Sequence, residues 1–334
     1  MNIKIFMATA TTSEERDTLR YFGQGVEKWV NENISDADKE NLPTVRIGRW
    51  TALNRPTHSV EYEYNEGYVP CDIAVMFGSW KPREKGHHVV RSSVAGNAKT
   101  FICIETPLLA RRTDTTNQYY RIGINGFLNQ SAYWPEPEPV HANSQLSLLG
   151  IKWSGWDNNP KGHVLLALQL PGDASLRGID INEWALRSIR SIRAWTDRPI
   201  TIRSHPLISD RGFEHHIPLL AQAMKGNISN ITWSDGAVVP WATDLKGAYC
   251  TVTYTSGLAI DSVLAGIPTV ACDPGNFAWD ISTQSLDEIE SLKFASDHVI
   301  NEWLAQLAMC QWNYEQMRSG LVWQHLMSTL ETMT

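Results

Sequence analysis

Apolar and polar positions fall along the chain in two series, each alternating short apolar runs with longer amphipathic stretches. Residues 2–8 (NIKIFMA) form a compact apolar run that predicts a buried strand. Residues 13–31 follow with Leu19, Phe22, Val26 and Trp29 at helical spacing. Further strands are read at 45–50, 72–77 and 100–104, with a helix at 89–98 between the last two. Such alternation predicts a parallel, doubly wound sheet. At 133–143 (YWPEPEPVHAN) prolines crowd a segment without apolar period, which reads as the start of an interdomain connection. The second series runs strand 163–169, helix 182–196, strand 200–203, helix 213–224, strands 230–233 and 249–254, helix 257–265 and strand 269–272. A largely helical tail, 286–333, offers Leu304, Leu307, Trp312, Met317, Leu321 and Trp323 as packing residues.

The fold class expected is α/β, with two Rossmann-like domains at 1–145 and 146–285 and C-terminal helices at 286–334 packing back across the cleft. A length of 334 residues favours two cores over one. With 43% hydrophobic and 19% charged residues the composition is that of a globular chain. No apolar run reaches the length of a membrane span and the first twelve residues lack a secretion signal, so a cytoplasmic location, in a bacterium or an infected host cell, is expected. Net charge −7 gives no bulk attraction to nucleic acid. Five cysteines without a C-x-x-C pair suggest core thiols rather than disulfides or zinc, and most of the fourteen tryptophans should fill cores.

Open parallel sheets bind ligands at the carboxyl ends of their strands, so chemistry is sought there. In 253–270 (TYTSGLAIDSVLAGIPTV) a strand ends in Thr255, Ser256 and Gly257 and a helix begins, a place that favours an anion. The alternative is that Ser256 caps the helix and Asp261 faces solvent. Arg203-Ser204-His205-Pro206 ends another strand. Gln169 to Ser175 (QLPGDAS) ends a third, where Asp173 and Ser175 either touch a ligand or close a plain Asx-capped turn. In the N-terminal half Glu105 follows the strand FICI, where it is either a general base or a partner for Arg111 or Arg112. Lys81 and Arg83 follow Gly78-Ser79-Trp80. The pairs His87-His88 and His215-His216 point in different directions and lack metal-site spacing, so no metal is expected. Dinucleotide-fingerprint, Walker and nucleophile-elbow motifs are absent from the sequence.

The order Ser256, Asp261, Gly266, Pro268 resembles the donor-binding helix of GT-B glycosyltransferases, above all bacterial capsule Kdo transferases, with Asp261 where that family usually has Glu. His205-Pro206 is similar to the His-Pro motif of polysialyltransferases and Kdo transferases, whose histidine contacts the donor phosphates. QLPGDAS and the stretch 105–126 extend the likeness, which covers 162–274 best. The resemblance implies two facing Rossmann-like domains and a nucleotide-sugar donor held by Arg203, His205, Ser256, Gly257, Asp261, Gln169, Asp173 and Trp241. The nucleobase would lie near 233–236 and 240–241. It further implies Glu105 and His205 as catalytic groups, Lys81, Arg111 and Arg112 on the acceptor side, and no metal or other cofactor. Related segments occur in phage-encoded chains, so the acceptor is expected to be a glycan or a hydroxymethylated base in DNA, the latter helped by a basic groove of Arg83, Arg91, Arg111 and Arg112. The rival functions are a nucleotide-sugar epimerase of the same fold and a non-catalytic nucleotide- or glycan-binding protein.

Overall fold

The computed structural model describes residues 2–33, 44–47, 50–54, 59–81, 86–109, 118–157, 159–208 and 230–333. They divide into two compact units. Unit 1 comprises Met1–Phe127, Ser131–Leu149 and Ala305–Thr334, and unit 2 comprises Leu128–Gln130 and Gly150–Leu304. The elements of unit 1 begin with β1 (Asn2–Phe6), α1 (Ser13–Asn33), a hairpin of β2 (Thr44–Ile47) and β3 (Trp50–Asn54), and β4 (Ser59–Glu63). They continue with β5 (Ile73–Phe77), α2 (His87–Asn97), β6 (Phe101–Glu105), β7 (Tyr119–Ile124) and α3 (Pro139–Leu148). Unit 2 follows with β8 (His163–Ala167), α4 (Ile181–Trp195), β9 (Ile200–Arg203), β10 (Ile231–Ser234) and α5 (Trp241–Leu245). Then come β11 (Ala248–Thr253), α6 (Leu258–Leu264), β12 (Thr269–Ala271) and α7 (Asp297–Met309), and the tail adds β13 (Gln311–Asn313), α8 (Tyr314–Ser319) and α9 (Leu321–Met333).

Unit 2 holds a sheet of order β10-β9-β8-β11-β12, parallel throughout. Counted within the unit, that order is 3-2-1-4-5, the dinucleotide-fold winding that reverses direction between the first and fourth strands. The core strands are buried on both faces, as a covered parallel sheet requires, and Val164, Leu166, Ile200, Ile202 and Val252 join Ile181, Ala185, Ile189 and Ile192 of α4 in one cluster. Asp180 caps α4 by accepting from the Asn182 and Glu183 N–H groups.

Unit 1 has the order β13-β7-β6-β5-β1-β4. Apart from the separate β2-β3 hairpin, its first five strands wind 2-1-3-4-5, the flavodoxin-like arrangement, with the reversal between β1 and β5. The fully parallel expectation is corrected here: β7 runs antiparallel to β6, and β13 antiparallel to β7. The predicted strand 45–50 is replaced by the two strands of the hairpin, and β4, β7 and β13 were not predicted. At its start, α1 is closed by a reciprocal pair, Glu15 N–H to Thr12 Oγ1 at 3.2 Å and Thr12 N–H to the Glu15 carboxylate at 3.4 Å.

The proline-rich stretch does not end in loop: α3 starts at Pro139, where a missing N–H costs nothing, with Glu138 as its cap. The chain passes between units at Leu149/Gly150 rather than at 145. The tail also divides later than 285, because Ile289 and Leu292 belong to the core of unit 2, whereas residues from Ala305 onward join unit 1. Trp312, Met317, Val322, Trp323, Leu326 and Leu330 share one cluster with Leu19, Phe22, Val26 and Val30 of α1 and with the sheet. A mid-helix glycine in α1 has its reason here. A Cβ at Gly25 would fall on the carbonyl of Met317, and that close approach offsets a helix-propensity cost of ~1 kcal/mol. The predicted helix 213–224 lies outside the described residues. Among the described residues no helix is long and apolar enough to cross a membrane.

Candidate functional site

The winding of unit 2 places its crevice at the carboxyl ends of β8 and β11. The loops leaving those strands are tied together by Gln169, which is 5% exposed. Its Oε1 accepts from the Thr255 N–H at 2.9 Å, and its Nε2 donates to Ser175 Oγ at 2.7 Å and Thr255 Oγ1 at 3.0 Å. Ser175 Oγ donates in turn to Asp173 at 2.6 Å, which also accepts the Ser175 N–H, and Thr255 Oγ1 reaches the Ser175 carbonyl at 3.2 Å. Gln169 is therefore a brace, and its expected place among donor ligands is corrected: both ends of its amide are engaged by the protein. Asp173 closes the Asx-capped turn that its sequence allows.

Beside them, His205 is half-buried after β9. Its Nδ1 accepts from the Leu207 N–H at 3.1 Å, so the neutral ring carries its proton on Nε2, the form that donates to an anion. Arg203 is a second correction. Its side chain is 5% exposed, its guanidinium is paired with Asp244, and a second nitrogen donates to the Gly236 carbonyl at 3.4 Å. Asp244 also accepts from Ser234 Oγ at 2.7 Å. This buried pair joins β9, β10 and α5, and leaves Arg203 bracing the sheet edge. Ser204 Oγ accepts the Gly236 N–H at 2.9 Å and so fixes the turn before α5, whose first residue, Trp241, is 45% exposed and presents an open aromatic surface.

Ser256 and Gly257 are half-buried at the start of α6, with Gly257 as the N-cap residue. Ser256 Oγ accepts the Leu258 N–H at 3.2 Å, a local turn contact from the residue before the cap, and the cap itself makes no side-chain hydrogen bond. Seven residues of helix give a weaker dipole than the sequence reading assumed. Asp261 sits half-buried in its first turn. Sequence reasoning missed Arg177, Tyr254 and Asp273 at the same edge. Arg177 is paired with Asp273, which follows β12 and accepts the Gly275 N–H at 2.7 Å. The available signals were the arginine directly after QLPGDASL and an aspartate closing the strand 269–272.

The carboxyl edge of unit 1 is built on charge. Glu105 ends β6 opposite Arg121 of β7 and accepts N–H groups from Ser79 at 2.8 Å and Thr106 at 2.9 Å. Burial alone would raise its pKa, but the Arg121 charge and these donors outweigh burial and hold the carboxyl below the usual range, ionised. Among the described residues its partner is Arg121, while Arg111, Arg112 and Arg83 lie outside them. Lys81 is half-buried beyond Ser79, and its carbonyl accepts from Ser92 Oγ at 3.1 Å. Arg91, read as part of a basic groove, is 6% exposed. It donates to the carbonyls of Thr9 at 2.9 Å and Ser79 at 3.3 Å and lies 3.9 Å from Glu15, so it binds the protein's own loops. Gly78, at φ 82°, is required beneath it, since a Cβ would fall on the guanidinium.

His87 and His88 do not diverge as expected: their ring centroids are 4.2 Å apart. His215 and His216 lie outside the described residues. Among the described residues no three His, Cys, Asp or Glu side chains group as metal ligands. The cysteines are free, with Cys103, Cys250 and Cys310 buried.

No protein-family model and no curated protein matches the chain. Among solved structures it is similar to the KpsC beta Kdo 2,7 transferase of Thermosulfurimonas dismutans, at 10% identity and TM-score 0.49 over 97% of this chain and 99% of that one. The KpsC beta Kdo 2,4 transferase of the same organism gives 13% identity and TM-score 0.46 over 76% and 83%. A UDP-GlcNAc 2-epimerase of Methanocaldococcus jannaschii, solved with UDP-GlcNAc and UDP, gives 11% identity and TM-score 0.34 over 98% and 100%. Kdo transferases, the family that the sequence motifs resemble, thus recur among the similar structures, while likenesses of this size transfer no activity to the chain.

Proposed function

We propose that this chain is a glycosyltransferase in which unit 2 holds a nucleotide-sugar donor and unit 1 supplies a carboxylate for an acceptor hydroxyl. The observation that carries this is the meeting of the loops after β8 and β11 at the point where the strand order of unit 2 reverses, with His205 on the loop after the neighbouring β9. Donor contacts are assigned to His205, Ser256 and Gly257, with Asp261 beside the ribose or phosphates and Trp241 as a surface for the base. Arg203, Gln169 and Asp173 shape the loops that carry them.

In the proposed reaction Glu105 takes the proton of the acceptor hydroxyl as that oxygen attacks the anomeric carbon. The bond from this carbon to the phosphate oxygen breaks, and its electron pair leaves on the nucleotide. An ionised Glu105 is in the right state to accept the proton, and the Nε2–H of His205 stabilises the charge on the leaving phosphate without help from a metal. A glycan hydroxyl is the acceptor carried forward; Arg91, the described member of the expected basic groove, is committed to Thr9 and Ser79.

A thermal-shift series with CMP, UDP, GDP, ADP and dTDP and their sugar conjugates tests the donor assignment. One nucleotide should raise stability, by ~2.7 kcal/mol at a hundred times its Kd, and His205→Ala should abolish the rise. If none does, the donor site is refuted. Product analysis with and without acceptor then separates transfer from epimerisation, and loss of transfer with retained donor binding in Glu105→Gln supports the base.

A further inference from the structure

We propose that Arg177, a residue that the sequence motifs do not include, is the phosphate-binding cation of unit 2; the proposal rests on the donor reading above. Among the described residues Arg177 and Arg203 stand at this carboxyl edge, and they differ in what they offer. The Arg203 side chain is 5% exposed and closed against Asp244, whereas the Arg177 side chain is 46% exposed.

Its position follows from the network at the strand reversal. Arg177 lies two residues beyond Ser175, whose hydroxyl joins Gln169 and Asp173, so the loop carrying it is fixed to Thr255 after β11. Its backbone is left-handed, φ 50°, held by the Arg177 N–H to the Ala174 carbonyl at 3.1 Å, with Gly178 at φ 89° behind it. A side chain at such φ is strained and persists where the surroundings impose it. The guanidinium is then oriented by Asp273 from the loop after β12, while its own loop is held to Thr255 after β11. Three loops of one sheet edge thus aim one cation.

Asp273 orients this guanidinium without exhausting it. A planar guanidinium carries five N–H donors in a fixed fork, and a carboxylate on one nitrogen leaves geometry for a phosphate on another. An oriented, half-exposed arginine is the side chain that makes paired, charge-assisted bonds to phosphate oxygens. The ligand class is the phosphate of a nucleotide, and the contact should separate a nucleotide from its nucleoside.

The test is calorimetric titration of the full chain with the nucleotide that stabilises it and with the matching nucleoside. Arg177→Ala should weaken the nucleotide about 10- to 100-fold, the range of one or two charge-assisted bonds, and leave the nucleoside unchanged, while Arg177→Lys restores part of the loss. Because alanine leaves Asp273 without its partner, the paired variant Arg177→Gln with Asp273→Asn is the control: it should keep the melting temperature and lose the same preference for phosphate. Equal nucleotide affinity in wild type and both variants overturns Arg177 and leaves the donor site standing. Failure of every nucleotide to bind the wild type removes the donor site and this inference with it.

Discussion

In unit 2 the loops that leave β8 and β11 are held by neutral groups, the amide of Gln169 and the hydroxyls of Thr255 and Ser175. In unit 1 the loops leaving β1, β5 and β6 are held by ions, with Arg91 on the Thr9 and Ser79 carbonyls near Glu15, and Glu105 opposite Arg121. The two edges come from similar windings and end with different electrostatic resources. In unit 2 the Arg177 side chain stays 46% exposed beside Asp273. A charged brace satisfies its own cations and delivers a single oriented carboxylate. That division suits a donor phosphate in one unit and an acceptor proton in the other.

The largest effect should come where unit 2 departs from this neutral plan, at the buried Arg203–Asp244 pair. Asp244→Ala strands a guanidinium that is 5% exposed and also removes the acceptor of Ser234, so unfolding free energy should fall by ~3–5 kcal/mol. Replacing both members, Arg203→Met with Asp244→Leu, should cost far less. Urea titration of the two proteins decides it. Equal losses would mean that the charges are not what holds β9 to α5.

How far the sequence disclosed this arrangement depended on the kind of signal. Short apolar runs and their helices recovered β8, β9, β11, β12 and α4 to within a few residues, because buried parallel strands are continuous apolar segments. The edge strands β4 and β13, and β7 beside the latter, escaped because polar residues such as Glu61, Arg121 and Asn313 interrupt their runs, and pairing at distant positions supplies what the pattern lacks. The start of α3 hid behind prolines that mark a helix entrance as readily as a loop. His205 and Ser256 stand in local motifs, so a reading of the sequence proposes them without knowledge of the fold. Arg203 was misread because its partner, Asp244, lies 41 residues on, and only the packing of β9 against α5 brings the two together. Arg177 was missed for the converse reason, as its orientation comes from Asp273, 96 residues away.

A smaller and more local effect is expected at Gln169. Gln169→Ala leaves the Thr255 N–H buried without its acceptor and should destabilise unit 2 by ~1–3 kcal/mol, with nucleotide affinity falling as the two loops separate. Gln169→Glu keeps the acceptor and loses the donor to Ser175, so it should fall between alanine and wild type in both measurements. Weakened nucleotide binding with unchanged stability in Gln169→Ala would instead place the amide on the ligand and break the contrast between brace and ligand.

The smallest effect at neutral pH, and one that grows in acid, should belong to unit 1. His325 of α9 is half-buried, with its ring centroid 5.2 Å from that of Trp312, and its Nε2 has no hydrogen-bond partner among the described residues. Burial, with the charge of His141 adding to it, pushes its pKa down to about 4 from 6.5. The fold therefore favours the neutral ring. Its contribution is complete above pH 6.5 and is lost progressively as pH falls from 6.5 toward 4, because the unfolded chain takes up a proton that the folded chain resists. Glu105, whose pKa is lowered, loses its contribution only below the ordinary carboxylate range, so measurements between pH 7.5 and 5 isolate the histidine. Hydrogen exchange should show α9 amides opening more readily at pH 5 than at pH 7.5, after correction for intrinsic rates, while α4 changes little. His325→Leu should flatten the α9 response and alter stability little at pH 7.5. An unchanged acid response in that variant would assign the sensitivity to another group that titrates between pH 7.5 and 5.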